Sequence, residues 1–524
     1  MRKGLAPELI ARVLGAAPKY TMDDLEEKFP PRNLPDGAFV TRFAPSPTGM
    51  MHLGGLYGAL IDCKLATQSG GVFMLRIEDT DTKREVADAV QIINQSMEKF
   101  GLKYTNDPQY GPYEQSARKD IFHSVAADLL ARGLAYPCFM TADDMEKIRE
   151  SQRLAGYPTG IYGEFARDRD LSDDEIAAHL NAGDKPTIRL YSLGNPENKI
   201  YCKDVVRGSI AFPENNEDIV LIKSNDGLPT YHFAHLVDDH FMRTTHVVRG
   251  EEWLPSFPLH VALFRMMGWA SPLYIHTSTI DKIDDETGKQ RKLSKRKDPE
   301  ANVQFFLIDG WPTDAVMEYL FNIAASGYEE AKSKGVVKSI WDYEMRAKKI
   351  PMSGALFDMK KLEWWAKEFI ATLPVPELVA RVTQWANEYG TDTEKMQVAD
   401  RDYLTAVLGI ERDNPRRIRK DFITWRQTLG TVAFFWDALY TPNTEFDFNR
   451  DALREFLATY DANDDKDTWW NKIVAVAEKL GIKNGDVAMN LRVALSGRAF
   501  TPDLYSMMTV MGDARVKQRI EHAL

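Results

Sequence analysis

PSPTGMMHLGG, residues 45–55, lies between a strand-like run at 39–43 and an apolar run through Leu56, Leu60 and Leu65 that stops at Gly70-Gly71. A Gly/Pro-rich turn joining a strand to a helix is the junction of a parallel α/β unit, where ligands settle beyond the carboxyl ends of the strands. The helix start offers unpaired backbone N–H groups and partial positive charge, so the turn attracts phosphate. Gly49 and Gly54 let the backbone come close to a nucleotide, and His52 can donate to an α-phosphate whose charge grows during displacement. Taken alone, His-x-Gly is more often a capped βα turn with a surface histidine.

A second stretch, RKLSKRK at 291–297, sets Lys292 and Lys295 on either side of Ser294, after a polar loop at 281–290. A Lys/Arg-rich segment by itself reads as a solvated face. On a mobile arm, however, its cations can meet pyrophosphate as it leaves, which is when stabilisation accelerates a reaction. In this order the two stretches describe two halves of a site that splits pyrophosphate from ATP.

Working outward, the α/β rhythm continues as a strand at 72–78 and a helix at 86–100 closed by Gly101. It lapses after Gly133 into helical pieces (141–150, 173–181) and β-like ones (187–191, 219–222), and resumes at 230–237 and 246–249. Beyond about residue 301 the periodicity is helical: 302–308, 313–325, 359–369 and 375–388. Before it all, Pro7 with Leu9, Ile10, Val13 and Leu14 predicts a short amphipathic helix ending at Gly15, and Thr21 with Asp24 a capped second one. That piece reads as an extension docked on the main body.

At 524 residues the chain exceeds one core. Its 44% hydrophobic and 27% charged residues are ordinary for a soluble globular protein. Cys63, Cys138 and Cys202 lack metal-ligand spacing, which argues against a disulfide framework or a zinc site and fits a reducing cytosol. No apolar run is long enough to span a membrane, and the acidic N-terminus is not a signal or transit sequence. The net charge of −11 decides little about nucleic acid, because a local basic face can still bind phosphate.

With LRIEDTD at 75–81, GPYEQS at 111–116, PTYHFAHLVDDH at 229–240, THVVRGEEW at 245–253 and KLSKR at 292–296, the chain resembles the class I aminoacyl-tRNA synthetases of the glutamyl subgroup from residue 39 to its end. The PSPTG wording is that of glutamyl enzymes; glutaminyl ones usually carry a PEPNG-like version. The resemblance implies a Rossmann-type α/β catalytic domain with an α+β insertion, followed by an all-α anticodon-binding region of bacterial type. The expected divisions are an N-terminal helical extension at 1–37, the catalytic domain's first half at 38–134, a connecting insertion contacting the acceptor stem at 135–224 and the second half at 225–285. A KLSKR loop and stem-contact domain at 286–355 and the anticodon-binding region at 356–524 complete them.

The resemblance also implies roles. His52, Gly54, Lys292 and Lys295 would be catalytic, with Ser46, Thr48 and Glu252 joining His52, Gly54 and Lys295 around Mg-ATP. Arg42, Ala44, Ser46, Glu78, Tyr231, His235 and Arg249 would bind L-glutamate. Forked guanidiniums suit its side-chain carboxylate and leave donors unpaired against glutamine's amide, while Glu78 would take the ammonium. Outside the motif context Arg42 and Glu78 would read as a structural ion pair, and Tyr231 as a core residue with its hydroxyl satisfied; within it the functional roles are the expectation. His235 stands where some members carry Asn. Where zinc-binding members have Cys-x-Cys this chain reads Cys138-Phe139-Met140, so no zinc is expected. The run Arg412, Arg416, Arg417, Arg419, Lys420 could pair tRNA phosphates, or be a charged helix face. A cytoplasmic monomer that charges tRNA(Glu) is expected, with charging of tRNA(Gln) as well, or a glutaminyl enzyme, as the alternatives.

Overall fold

The computed structural model describes residues 3–81, 86, 88–294, 296–414 and 418–524. They form two compact units, Met1–Gln304 with Leu320–Phe357, and Phe305–Tyr319 with Asp358–Leu524.

In the first unit, β1 (Val40–Phe43) pairs in parallel with β2 (Val72–Leu75), and the helix Leu53–Gln68 connects them. β2 is shorter than the expected strand at 72–78. The Asn106 side chain takes both backbone groups of Leu75, at 3.0 and 2.8 Å, and ends the ladder. The chain nevertheless runs on beside the motif turn: Arg76 N–H reaches Phe43 O and Glu78 N–H reaches Pro45 O, at 2.9 and 3.0 Å. The expected helix at 86–100 is Ala89–Lys99, preceded by Asp88 at φ 65°.

The next stretch supplies β3 (Ala135–Cys138), β4 (Thr187–Leu190), β5 (Lys199–Asp204), β6 (Gly208–Pro213) and β7 (Val220–Ile222). β3, β4 and β7 make an antiparallel sheet of their own. The β5–β6 hairpin, whose alternation escaped the sequence reading, extends another sheet in the order β6-β5-β9-β8, where β8 is His246–Gly250 and β9 is Leu273–Thr277. β8 and β9 are parallel and, apart from Leu273 and Gly250 at their ends, buried, as parallel strands between covering helices are. Thr245, just before β8, donates its N–H to Val40 O at 3.0 Å, which sets β8 beside β1. The loop expected at 281–290 is the turn of a hairpin, β10 (Ile280–Ile283) and β11 (Gln290–Lys292), and β10 also pairs with β12 (Ala355–Leu356). Arg291 closes that turn, bonding Asp284 at 2.6 Å and Asp298 at 2.6 and 2.8 Å.

Residues 3–37 fold onto this unit. Leu9, Ile10, Val13 and Leu25, from the helices Pro7–Leu14 and Met22–Lys28, with the flanking Leu5 and Phe29, share a core with the helices Lys119–Ala131 and Tyr231–Phe241. Glu26 holds Arg243 and His240, at 2.6 and 2.7 Å, at the C-terminal end of the Tyr231–Phe241 helix.

In the second unit, all regular structure among the described residues of 358–524 is helical. Its core runs from Ile370 to Ile520 and is rich in large apolar side chains such as Trp385, Phe435 and Trp469. Among the described residues no helix is long and apolar enough to cross a membrane.

Candidate active site

A cavity of about 600 Å³ opens where β1, β8 and β9 end. Ser46, His52, Gly54, Glu252 and Lys292 line it, as do Arg42, Ala44, Glu78, Tyr231 and Arg249. Residues read from stretches more than 200 positions apart thus share one wall. Thr48 and His235 lie outside the lining, and Lys295 lies outside the described residues.

The His-x-Gly spacing has a local cause. His52 caps the helix Leu53–Gln68 in extended backbone (φ −84°, ψ 146°), and its Nδ1 accepts the Gly54 N–H at 3.0 Å. That bond places the neutral ring's proton on Nε2. A Cβ at position 54 would stand 3.3 Å from the same Nδ1, so glycine is what lets the ring lie down on the helix start. Gly49 supplies the positive φ (126°) that turns the chain back toward the helix. Lys292 Nζ lies 3.5 Å from Glu252 Oε1, both side chains about half exposed, a weak tether for a cation that must move.

Deeper in, charge is organised by a residue the sequence reading did not single out. Asp239 is fully buried and serves Arg42 Nε at 3.2 Å, Arg76 Nη1 at 2.5 Å and His235 Nδ1 at 2.5 Å. Burial alone would push its carboxyl up, but Arg42, Arg76 and His235 hold it well below the ordinary range. His235 is internal: its Nε2 meets Tyr274 OH at 2.8 Å, and burial lowers it to about 4, so the ring is neutral. Glu78 bonds Arg76 Nη2 at 3.0 Å; burial raises it, and Arg76 and Arg42 hold it back. Arg42 and Glu78 are therefore not paired directly with each other, as one sequence reading had it; Arg76 and Asp239 stand between. Tyr231 packs its ring 4.4 Å from that of Trp253.

Arg249 differs. Its Nε donates to His276 Nε2 and its Nη1 to His260 Nδ1, both at 2.9 Å, and Nη2 is buried with no partner. Arg42 and Arg76 thus share Asp239, and Arg76 also holds Glu78, whereas no carboxylate among the described residues bonds Arg249. The cavity wall keeps an unmatched positive charge, suited to an anionic ligand.

Residues 38–364 match the family of class I tRNA synthetases (E and Q), catalytic domain, and residues 377–524 an anticodon binding domain. A glutamate–tRNA ligase of Clostridium perfringens strain 13 is 42% identical over 94% of this chain and 96% of its own length. The chain belongs to the glutamate–tRNA ligases. Another, from Acetivibrio thermocellus, is 42% identical over 95% of both chains. The crystal structure of a glutamate tRNA ligase from Elizabethkingia meningosepticum in complex with its amino acid superimposes with a TM-score of 0.76 at 29% identity, covering 92% of this chain and 98% of that one. The class I fold expected of a glutamate–tRNA ligase, an α/β catalytic part followed by a helical anticodon region, is the fold observed.

Of the five cations expected to face tRNA in this glutamate–tRNA ligase, the three described, Arg412, Arg419 and Lys420, bond other groups of the protein. Arg412 is 9% exposed and caps the helix Met359–Thr372, donating to Ile370 O and Leu373 O at 2.7 Å. Arg419 forks onto Asp421 at 2.8 and 2.6 Å, and Lys420 reaches Glu368 at 2.7 Å. Arg416 and Arg417 lie outside the described residues. Cys138 is buried, as are Cys63 and Cys202, and no group of three or more His, Cys, Asp or Glu among the described residues is placed to hold a metal.

Asp62 also lines the cavity, 1% exposed, with Oδ1 unpartnered; burial raises its carboxyl well above the ordinary range, only partly offset by Arg42. The unfolded chain would release this proton near pH 3.9, whereas the fold retains it, so the group costs stability as pH rises. Asp62→Asn should therefore stabilise the protein by on the order of 1–3 kcal/mol at pH 7.5 and by nothing at pH 3.5. Urea unfolding at both pH values reads the difference; an equal gain at both would contradict it.

Proposed function

We propose that this chain carries out glutamate–tRNA ligation in the 600 Å³ cavity, with the unmatched guanidinium of Arg249 as the observation that carries the reading. The side-chain carboxylate of L-glutamate meets Arg249, with Arg42 beside it. The ammonium meets Glu78, and the Tyr231 hydroxyl adds a contact. The α-carboxylate then lies toward the Ser46–Gly54 turn and the helix start, where the nucleotide phosphates sit. Its oxygen attacks the α-phosphorus of Mg-ATP, the bond to the β-phosphate oxygen breaks, and pyrophosphate leaves with that electron pair. Magnesium travels with the nucleotide and offsets phosphate charge. His52 gives its Nε2–H to the α-phosphate oxygen as charge builds there, and Lys292, with Lys295, draws off the pyrophosphate. In the second step the 2′-hydroxyl of the tRNA's terminal adenosine attacks the carbonyl carbon of the mixed anhydride, the bond to the phosphate oxygen breaks, and AMP departs with its phosphate taking up the hydroxyl proton.

No protein nucleophile is needed, so catalysis consists of positioning and charge stabilisation. Helical residues 377–524 engage the anticodon region of tRNA(Glu), with tRNA(Gln) as the second substrate to be tested, and the enzyme works as a cytoplasmic monomer. His52→Ala should lower kcat about 10²–10³-fold, with the glutamate KM little changed, because the contact strengthens only in the transition state. Charging of purified tRNA(Glu) and tRNA(Gln) with glutamate and with glutamine reads this and the substrate choice together. A variant with undiminished kcat, or preferential charging with glutamine, would overturn the assignment.

A further inference from the structure

The two arginines of the cavity are held in opposite ways. Arg42 has a buried carboxylate, Asp239, at 3.2 Å. Among the described residues Arg249, 8% exposed, touches uncharged groups: imidazole nitrogens of His276 and His260 at 2.9 Å, and the faces of Tyr274 and Phe257 at 4.7 and 5.9 Å. An acid is near but kept one ring away. Asp204 Oδ2 lies 2.7 Å from His276 Nδ1 and 3.0 Å from the His276 N–H, while its Oδ1 accepts the Val206 and Arg207 amides at 2.8 and 2.7 Å.

The hydrogen bonds fix where each proton sits. A guanidinium can only donate, so both ring nitrogens facing Arg249 must be lone pairs. His276 then carries its proton on Nδ1 and gives it to Asp204. His260 carries its proton on Nε2 and gives it to His232 Nδ1, 2.9 Å away. Burial, reinforced by Arg249, keeps all three rings neutral. Each imidazole thus orients the fork without neutralising it.

We propose that His260 and His276, with His276 set by Asp204, are positioning residues that aim Arg249 while withholding a protein counterion from it, so that an anionic substrate side chain supplies the missing charge. This rests on the reading that Arg249 meets the side-chain carboxylate. Glutamine, offering a neutral amide, would leave the buried charge unmatched, so the cradle sets the discrimination between the two amino acids as well as the affinity.

The test is a pair of variants of one shape. His260→Asn and His260→Asp both place an oxygen where Nδ1 stood, and both lose the bond to His232. Only the second adds a charge against Arg249. Relative to His260→Asn, His260→Asp should raise the glutamate KM in tRNA charging about 10–100-fold, leave the ATP KM unchanged, and shrink the glutamate-over-glutamine ratio of kcat/KM. Equal glutamate KM values for the pair would overturn the proposal. Asp204→Asn, isosteric and still able to accept from Val206 and Arg207, carries the test if His260→Asp does not fold. Its amide N–H would face His276 and force the ring proton round against Arg249, raising the glutamate KM with the ATP KM unmoved; an unchanged glutamate KM would refute the cradle. Arg249→Gln separates the two readings. If it leaves the glutamate KM untouched, the carboxylate assignment itself fails. If it raises KM while the His260 pair stays equal, only the cradle fails.

Discussion

Arg249→Gln should lower kcat/KM for glutamate about 10²–10³-fold, with nearly all the loss in KM, because it removes one partner of a desolvated charge pair. Arg249 is buried beside two neutral imidazoles, so water cannot replace the lost cation for the substrate carboxylate. The ATP KM should not move, since no phosphate is assigned to this side of the cavity. Glutamine should lose far less, and the ratio of the two amino acids is the sharper readout. Parallel losses for glutamate and glutamine would mean that Arg249 serves the architecture and not the choice of substrate.

Asp239→Asn should destabilise the first unit by about 3–5 kcal/mol at pH 7.5, the usual cost of removing one member of a buried ionic cluster. Arg42, Arg76 and His235 all converge on this carboxylate, and Thr244 Oγ1 adds a hydrogen bond at 3.1 Å. The sign with pH follows from its lowered pKa. A carboxyl held below its unfolded value contributes fully above about pH 3.9 and loses that contribution only as pH falls through the folded value. The gap between the parent protein and Asp239→Asn should therefore stay constant from pH 5 to 8, unlike the pH-dependent gain expected for Asp62→Asn. Urea unfolding followed by tryptophan fluorescence measures both, and a loss below about 1 kcal/mol would show that the cluster is a weak one.

The elements that depend on local pattern were legible in the sequence. The helix Asp173–Asn181 and the capping boxes at Thr21 and Thr141 announce themselves within four residues, because their hydrogen bonds close within one turn. The helix Thr313–Ala324 shows in its spacing of apolar side chains. The β5–β6 hairpin was missed although the burial of β5 alternates strictly, since Lys199–Asp204 carries charge on its outer face and β6 buries none of its residues fully. Much of the cavity was legible because its two motifs carry their own chemistry. What stayed hidden were groups acting through distance. Asp204 and His276 are 72 positions apart, and nothing local marks either. Asp239 was within reach: Tyr231, His235 and Asp239 recur every four residues, which sets them on one helical face. His235 itself reads as a ligand contact in sequence because its place in the motif is visible, whereas the two internal partners that occupy its ring are not.

The Glu26 clamp separates two boundaries that are easily equated. The match to the catalytic-domain family begins at residue 38, yet the helix bearing Tyr231, His235 and Asp239 is fastened at its far end by an acid twelve positions earlier. A fragment cut at residue 38 would leave Arg243 and His240 without their anion and bare the apolar face that Leu9, Ile10 and Val13 cover. The stretch that carries the catalytic family's pattern is thus shorter than the packed unit around it, and the difference lies in the helices Pro7–Leu14 and Met22–Lys28.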